Sequence, residues 1–307
     1  MILVHGILAD AMVELMCARL NAMGYEYVFW DETRVSDGLH VSWSLASNGV
    51  RGEISSGMGR VRLTDITGVY ARYVSRRDGR TRGDLNQREE DLVRAEYQAA
   101  VMQLLDLLPC VVVNRVRAST SNDSKLYQQF LIRDFGLLTP RTLVTTVPDE
   151  AVTFYEACGK NVIFKSLSSV RSIVRRLEEG DLARLDRVKN CPTQFQEVVE
   201  GVDIRVHTVG DEIFATELIS DASDYRYAAR DGHSLTARPI EVPPEVASAC
   251  LGLTKACGLV VAGIDLRRTS DGQYYCFEVN PSPGFIFFER MAGQPISEAV
   301  AKLLRAN

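Results

Sequence analysis

The chain is short of most features that would send a reader elsewhere. Its seven cysteines, Cys17, Cys110, Cys158, Cys191, Cys250, Cys257 and Cys276, are scattered, odd in number and free of CxxC spacing. That excludes a zinc ribbon or a disulfide framework and fits a reducing cytoplasm. No apolar run approaches the roughly 18 residues that a membrane span needs. Met1 to Asp10 is apolar but carries no Lys or Arg, and no cleavage pattern follows it, so it reads as a first strand rather than a signal peptide. There is no excess of positive charge: the formal net charge is −5, which argues against a nucleic-acid partner. No GxGxxG turn follows the opening strand, so a dinucleotide fold gains no support. No internal repeat, low-complexity tract, Ser-His-Asp set or Cys-His set is evident. His207 lies on a strand and reads as packing, and His5 and His233 suggest no role.

What is there is an ordinary globular composition, 46% hydrophobic and 24% charged over 307 residues, enough for two or three cooperating domains. Ile2 to Ile7 reads as a buried strand. Asp10 is a candidate N-cap for a helix with Met12, Leu15, Met16, Leu20 and Met23 on one face, and Tyr25 to Trp30 is the next strand. This β-α-β opening is that of an α/β domain. Residues 40–70 read as a small meander. A long helix follows over 84–107, with Leu92, Ala95, Ala99, Met102 and Leu105 sharing a face. Pro109 stops it, Cys110 to Val113 is an apolar strand, and a boundary falls near Asn114. Beyond it come a helix over 121–136, strands at Thr142 to Thr145 and Val162 to Lys165, and strands at Thr193 to Val199 and Asp203 to Val209. Gly210-Asp211 turns the chain into Glu212 to Ile219. After a polar stretch at 220–238 and a helix over 243–257, Val260 to Arg267 and Gln273 to Val279 form a hairpin, and a last helix starts near Ile296.

The strongest chemical constellation lies on that last hairpin. Glu278 and Asn280 are two apart on a strand and share a face, and the hairpin brings Asp265 beside them. Three oxygen donors suit Mg2+, which works alongside substrate phosphates. Asp265 and Glu278 sit inside otherwise apolar strands, where a carboxylate needs a partner cation. The turn Pro281-Ser282-Pro283-Gly284 follows directly and can offer backbone N–H groups to an anion. Upstream, Arg72, Arg76, Arg77, Arg80 and Arg82 form a basic cluster that reads either as a solvated loop or as a guide for an acidic partner.

Asp265 followed by Glu278-Val279-Asn280-Pro281 resembles the closing signature of the ATP-grasp carboxylate–amine ligases. Asn114 and then Asp123-Ser124-Lys125-Leu126 is similar to that family's first nucleotide lysine. Val162-Ile163-Phe164-Lys165 is similar to its second. Gln194 to Val199, followed by Glu200 and Asp203, resembles the hinge strand that meets adenine and ribose, which implicates Gln196, Glu197, Val199 and Asp203. Arg205 matches an arginine that the family directs at substrate or phosphates. The expected Gly-rich phosphate loop is replaced by Ser166-Leu167-Ser168-Ser169-Val170-Arg171-Ser172. A narrower resemblance is to the graspetide (microviridin-type) peptide maturases, carried by Arg72-Tyr73, by Asp224-Tyr225-Arg226-Tyr227, and by Gly284 to Glu289 with Gly293-Gln294-Pro295-Ile296.

The resemblance implies an α/β (α+β) ATP-grasp fold: an N-terminal pre-ATP-grasp domain over 1–113, a central subdomain over 114–192 and a C-terminal subdomain over 193–307, with the nucleotide cleft between the last two. It implies ATP and one or two Mg2+ as cofactors, Asp265, Glu278 and Asn280 as metal ligands, Lys125 and Lys165 on phosphates, and Arg205 and Arg226 as catalytic clamps. Arg72 and Arg171 are expected to meet substrate. The expected reaction phosphorylates a carboxylate and passes it to a nucleophile. An Asp or Glu side chain of a precursor peptide would be joined to a Ser, Thr or Lys side chain; the alternatives are an amino-acid-adding or small-molecule carboxylate–amine ligase, a kinase, or a nucleotide-binding module without catalysis. A homodimer is the expected assembly, with no membrane and no nucleic acid involved.

Overall fold

The computed structural model describes the chain except for residues 32–39, 48, 57–58, 74–84, 121–123, 168–173, 221–234 and 307. Arg76, Arg77, Arg80, Arg82, Asp123, Arg171, His233 and the segment Asp224 to Tyr227 with Arg226 therefore lie outside the described residues.

The opening β-α-β unit forms as its pattern predicts. Strand β1 (Ile2–Gly6) is buried throughout, as a strand covered on both faces must be. Helix α1 (Ala11–Ala22) is capped by the Asp10 carboxylate, which accepts from the Met12 N–H at 2.8 Å. With β2 (Tyr27–Asp31), β6 (Gly68–Ala71) and β7 (Val111–Val113), β1 makes a parallel sheet in the order β2-β1-β6-β7. The meander is a separate antiparallel sheet of β3 (His40–Ala46), β4 (Gly49–Ser56) and β5 (Gly59–Arg62). Helix α2 (Gln87–Leu107) starts at a capping box made by Asn86 and Glu89. Its buried face is Val101, Leu104 and Leu105, continued by Leu108, and Leu92 is 62% exposed. Of the face expected from periodicity only Leu105 is buried; Ala99 and Met102 are half-buried and Ala95 is exposed, because burial begins in the second half of α2 and centres on Val101 and Leu104.

After the short helix α3 (Val116–Ser119) and α4 (Lys125–Asp134), a second sheet gathers β8 (Thr142–Thr145), β9 (Val162–Lys165), β10 (Arg175–Arg176) and β11 (Thr193–Glu197) in the order β10-β9-β11-β8. Helix α5 (Pro148–Ala157) packs on it through Ala151 and Tyr155, and the short α6 (Glu179–Leu182) follows β10. The third sheet is antiparallel, β14-β13-β12-β15-β16, built from β12 (Val202–Val209), β13 (Glu212–Ser220), β14 (Leu235–Ile240), β15 (Val261–Arg268) and β16 (Tyr274–Asn280). Its helices are α7 (Pro244–Ala256), α8 (Ile286–Ala292) and α9 (Ile296–Arg305).

Two elements join sheets other than those of the units expected for them. Strand β11 hydrogen-bonds to β8 and β9, so the change of sheet comes after Glu197 and not at 192/193. Helix α4, assigned by sequence to the central unit, buries Ile132 among Ile204, Ala262, Ile264 and Leu253 of the third sheet and α7. Periodicity marks which face of an element is apolar but not which sheet receives it. The first and third sheets also share a core: Ile2, Met16 and Tyr70 join Val209, Val261 and Leu304 in one cluster. Among the described residues, no helix is long and apolar enough to cross a membrane.

Candidate active site

The carboxylate constellation assembles on one face of the third sheet. Arg205 on β12 is the register partner of Asp265 on β15, and Asp265 is that of Glu278 on β16. One step along, His207 faces Gly263, and Gly263 faces Asn280. A regular hairpin continued from the pair Leu266–Cys276 would set Phe277 against Asp265. The register instead shifts between Asp265 and Leu266, so that Glu278 takes that place. A bulge of this kind re-aims the strand's alternation. Cys276 and Val279 consequently both face the apolar core, while Glu278 and Asn280 share the Asp265 face.

Each carboxylate has a cation beside it. Arg205 Nη1 donates to Asp265 Oδ1 at 2.6 Å, and Arg205 is 5% exposed. Lys125 Nζ, in the first turn of α4, donates to Glu278 Oε2 at 3.0 Å. The side chains of Asp265 and Glu278 remain 27% and 22% exposed, so both carboxylates reach a surface. Asn280 Oδ1 accepts the Ser282 N–H at 2.8 Å, which leaves that oxygen a further lone pair. Among the described residues no three His, Cys, Asp or Glu side chains converge as a metal cage. The set here is two carboxylates and a carboxamide oxygen, all hard donors. It fits Mg2+, which typically takes one or two protein carboxylates and completes its shell with water and substrate phosphate.

Sequence reasoning missed the residue that makes room for this arrangement. A Cβ at position 263 would overlap Nη2 of Arg205 and lie 2.7 Å from the Pro283 Cβ. His207, two residues along β12, is fully buried, with its ring 4.7 Å from that of Phe288. Burial first, and then the Arg205 charge, holds its pKa well below the usual imidazole value. It is a neutral packing residue, as expected.

The expected hinge residues divide. Lys165 Nζ donates to Gln196 Oε1 at 3.3 Å, and Gln196 Nε2 reaches Thr142 Oγ1 at 3.1 Å, so these lie together on the second sheet. Glu197 turns to Arg141 instead, accepting from its backbone N–H at 2.8 Å and from Nε at 2.6 Å. Asp203 accepts from Arg267 Nε at 2.8 Å, while Nη1 of the same arginine donates to the Val199 carbonyl at 2.9 Å. Arg267, not singled out from sequence, thereby ties the end of the hinge to β15. Arg72 is also engaged: Nη1 donates to Ser282 Oγ at 2.7 Å and Nη2 to Asp10 Oδ2 at 3.3 Å. It links the N-terminal sheet to the turn behind Asn280.

This combination of an antiparallel sheet bearing two carboxylates and a carboxamide, a lysine from a flanking helix and a second lysine on a separate sheet is the arrangement of an ATP-grasp enzyme. The RimK-like ATP-grasp domain family matches residues 121–304, and the chain belongs to that family. It is therefore an ATP-grasp ligase. Among curated relatives, a probable alpha-L-glutamate ligase of Chromohalobacter salexigens is 26% identical over 222 residues, covering 69% of this chain and 72% of that one. Among solved structures, the ATP-grasp ligase PsnB, complexed with a phosphomimetic variant of a minimal precursor, Mg and ADP, is 28% identical. It has a TM-score of 0.79 over 99% of this chain and 97% of that one. The macrocyclase MdnC of Microcystis aeruginosa MRC, bound with the precursor peptide MdnA, shares the fold over 100% of both chains, with a TM-score of 0.83 at 22% identity.

Proposed function

We propose that this protein is a cytoplasmic ATP-dependent ligase that activates an Asp or Glu side chain of a precursor peptide and closes it onto a hydroxyl or amine of the same peptide. The observation that carries the reading is the likeness to PsnB, a ligase solved with a minimal precursor, which extends over 99% of this chain at 28% identity and so includes the N-terminal sheet.

A carboxylate is a poor electrophile. In the proposed reaction a carboxylate oxygen of the peptide attacks the γ-phosphorus of ATP, ADP leaves, and an acyl phosphate results. A hydroxyl or amine then attacks the acyl carbon, its proton is lost, and inorganic phosphate departs with an ester or amide formed. Phosphoryl transfer asks the protein mainly for alignment and charge neutralisation. Asp265, Glu278 and Asn280 would hold one or two Mg2+, which when bound supply positive charge to the phosphate oxygens. Lys125 and Lys165 add fixed positive charge at the nucleotide. Gln196, Glu197, Val199 and Asp203 are the proposed adenosine contacts, Glu197 through its backbone because its carboxylate is taken by Arg141. Arg205, buried and held by Asp265, is placed to stabilise charge that develops at the transferred group. Arg226 as a second clamp on the acceptor carboxylate, Arg171 as a substrate contact and a homodimeric assembly complete the proposal, and Arg72 enters as a tie between the first sheet and the turn after β16.

Glutamate addition is the second reading, favoured by the 26% identity to a probable alpha-L-glutamate ligase. One experiment separates the two. The full chain is incubated with ATP, Mg2+ and an acidic candidate peptide encoded beside its gene, with and without free glutamate, and the peptide's intact mass is followed. Loss of one water per bond supports the crosslinking reading. Gain of glutamyl residues transfers the proposal to the second. ADP release without either change in mass sinks both.

A further inference from the structure

Strand β16 carries two of the three proposed metal ligands, yet among the described residues it is the edge strand of its sheet. An edge strand presents an unpaired row of N–H and C=O groups and has no partner to fix its position on that side. Here the row is filled piecemeal by the segment that follows β7. The Leu138 backbone accepts from the Cys276 N–H at 2.8 Å and donates to the Tyr274 carbonyl at 3.1 Å. Further along, the Gln128 carboxamide takes both free groups of Val279: Oε1 accepts its N–H at 3.1 Å, and Nε2 donates to its carbonyl at 2.8 Å. The buried Asn114 carboxamide closes the row. Its Nδ2 donates to the Pro281 and Val261 carbonyls, at 2.6 Å each, and its Oδ1 accepts the Val260 N–H at 3.0 Å.

The placement of Gln128 is specific. Val279 is the residue between Glu278 and Asn280, so a two-point clasp on its peptide groups fixes the rotation of both flanking ligands toward the cleft. The clasp lies just beyond the bulge that brings Glu278 opposite Asp265, where the ladder with β15 is locally disturbed and a register slip would turn Glu278 into the core. Gln128 is 1% exposed, so its carboxamide has no water to fall back on. It is also three residues from Lys125, on the same side of α4, and Lys125 holds the Glu278 carboxylate. One helical turn thus delivers both a charge to the ligand and a surrogate strand to the ligand's backbone.

We infer that Gln128 is a positioning residue for the metal site, holding Glu278 and Asn280 in ligating orientation by pairing with the Val279 backbone, with Asn114 securing the turn that follows. The inference rests on the metal reading of Asp265, Glu278 and Asn280, and its test separates the two. ADP affinity of the full chain is measured by calorimetry without Mg2+ and across a Mg2+ titration, for the parent, Asp265→Asn and Gln128→Met, with the thermal midpoint recorded for each. Outer partners of metal ligands typically contribute about 10- to 100-fold to metal affinity, so Gln128→Met is expected to raise the Mg2+ midpoint by about that factor. ADP affinity in the absence of Mg2+ should stay at the parental value, a separation that a general loss of stability does not produce. Should Gln128→Met fail to fold, Gln128→Glu decides: it keeps the acceptor for the Val279 N–H and sets a carboxylate oxygen against the Val279 carbonyl, so its midpoint must rise too. A parental Mg2+ midpoint in the folded Gln128 variant, with Asp265→Asn losing the Mg2+ effect, overturns the inference and leaves the metal reading standing. A parental midpoint in Asp265→Asn overturns both.

Discussion

The guanidinium of Arg205 occupies the space that a side chain at Gly263 would fill. Gly263 sits two residues before Asp265 on the same face of β15, so the glycine lets the arginine lie flat across the strand and still reach the carboxylate at 2.6 Å. The Pro283 Cβ also lies 2.7 Å from the point a Cβ at 263 would occupy. Gly263→Ala is expected to fold, to keep ADP binding, and to lose turnover on the order of 100-fold, the usual effect of misplacing one charge-stabilising donor. Peptide-dependent ADP release is the assay, and a parental rate would remove Arg205 from the chemistry.

Arg72 distinguishes a tether from a steering charge. Its guanidinium spans Asp10 of the N-terminal domain and Ser282 of the turn whose N–H is bound by Asn280. A charged group's hydrogen bonds contribute about 1.5–3 kcal/mol, so Arg72→Ala should lower both the thermal midpoint and kcat. Because the contact is short-ranged, the loss should be the same at low and high salt. A steering cation would instead raise KM for an acidic peptide mainly at low ionic strength, where charges act beyond about 10 Å. Initial rates over a salt series decide.

His207 gives stability a pH dependence of known sign. Its pKa in the folded protein is depressed well below the ordinary 6.5, through burial and then Arg205. Above about pH 6.5 the ring is neutral in both folded and unfolded chains and costs nothing. As pH falls below that value the unfolded chain takes up a proton that the folded one refuses, so stability is lost, by at most about 1.4 kcal/mol per pH unit. Urea unfolding of the parent and His207→Leu, compared at about pH 7 and about pH 5, should show the steeper decline in the parent. Parallel declines would remove His207 as the source.

Part of the candidate site is legible because its residue types carry their chemistry with them. Asp265, Glu278 and Asn280 stand out as oxygen donors in apolar strands, whereas Lys125 and Lys165 are singled out only by the resemblance to the family. The geometry that joins Asp265 to Glu278 was not legible. A hairpin turning at 270–272 gives a regular ladder that opposes Asp265 to Phe277, and only a bulge, which leaves no composition signal here, restores the pairing. Gln128 was hidden for a related reason: a buried glutamine on an amphipathic helix reads as a solvated position until its partner, the edge of β16, is known. Gly263 did carry a readable signal, a glycine inside an apolar strand, which marks a close approach. Leu92 shows the opposite failure, where helical periodicity continued past the end of the surface it packs on.

The two lysines should separate by their partners. Lys165 meets a neutral acceptor, Gln196, which keeps its own bond to Thr142 if the lysine is lost. The expected effect of Lys165→Met falls on the nucleotide: a KM for ATP raised on the order of 10-fold. Lys125 meets a carboxylate that also belongs to the proposed metal set. Removing it takes away the ammonium group that holds the Glu278 carboxylate at 3.0 Å and so frees that side chain to turn. Lys125→Met should therefore lower kcat as well as raise KM, with the loss easing as Mg2+ is raised. Initial rates over a Mg2+ series check this. If Lys125→Met and Lys165→Met responded identically to Mg2+, the contact between Lys125 and Glu278 would have no part in assembling the site.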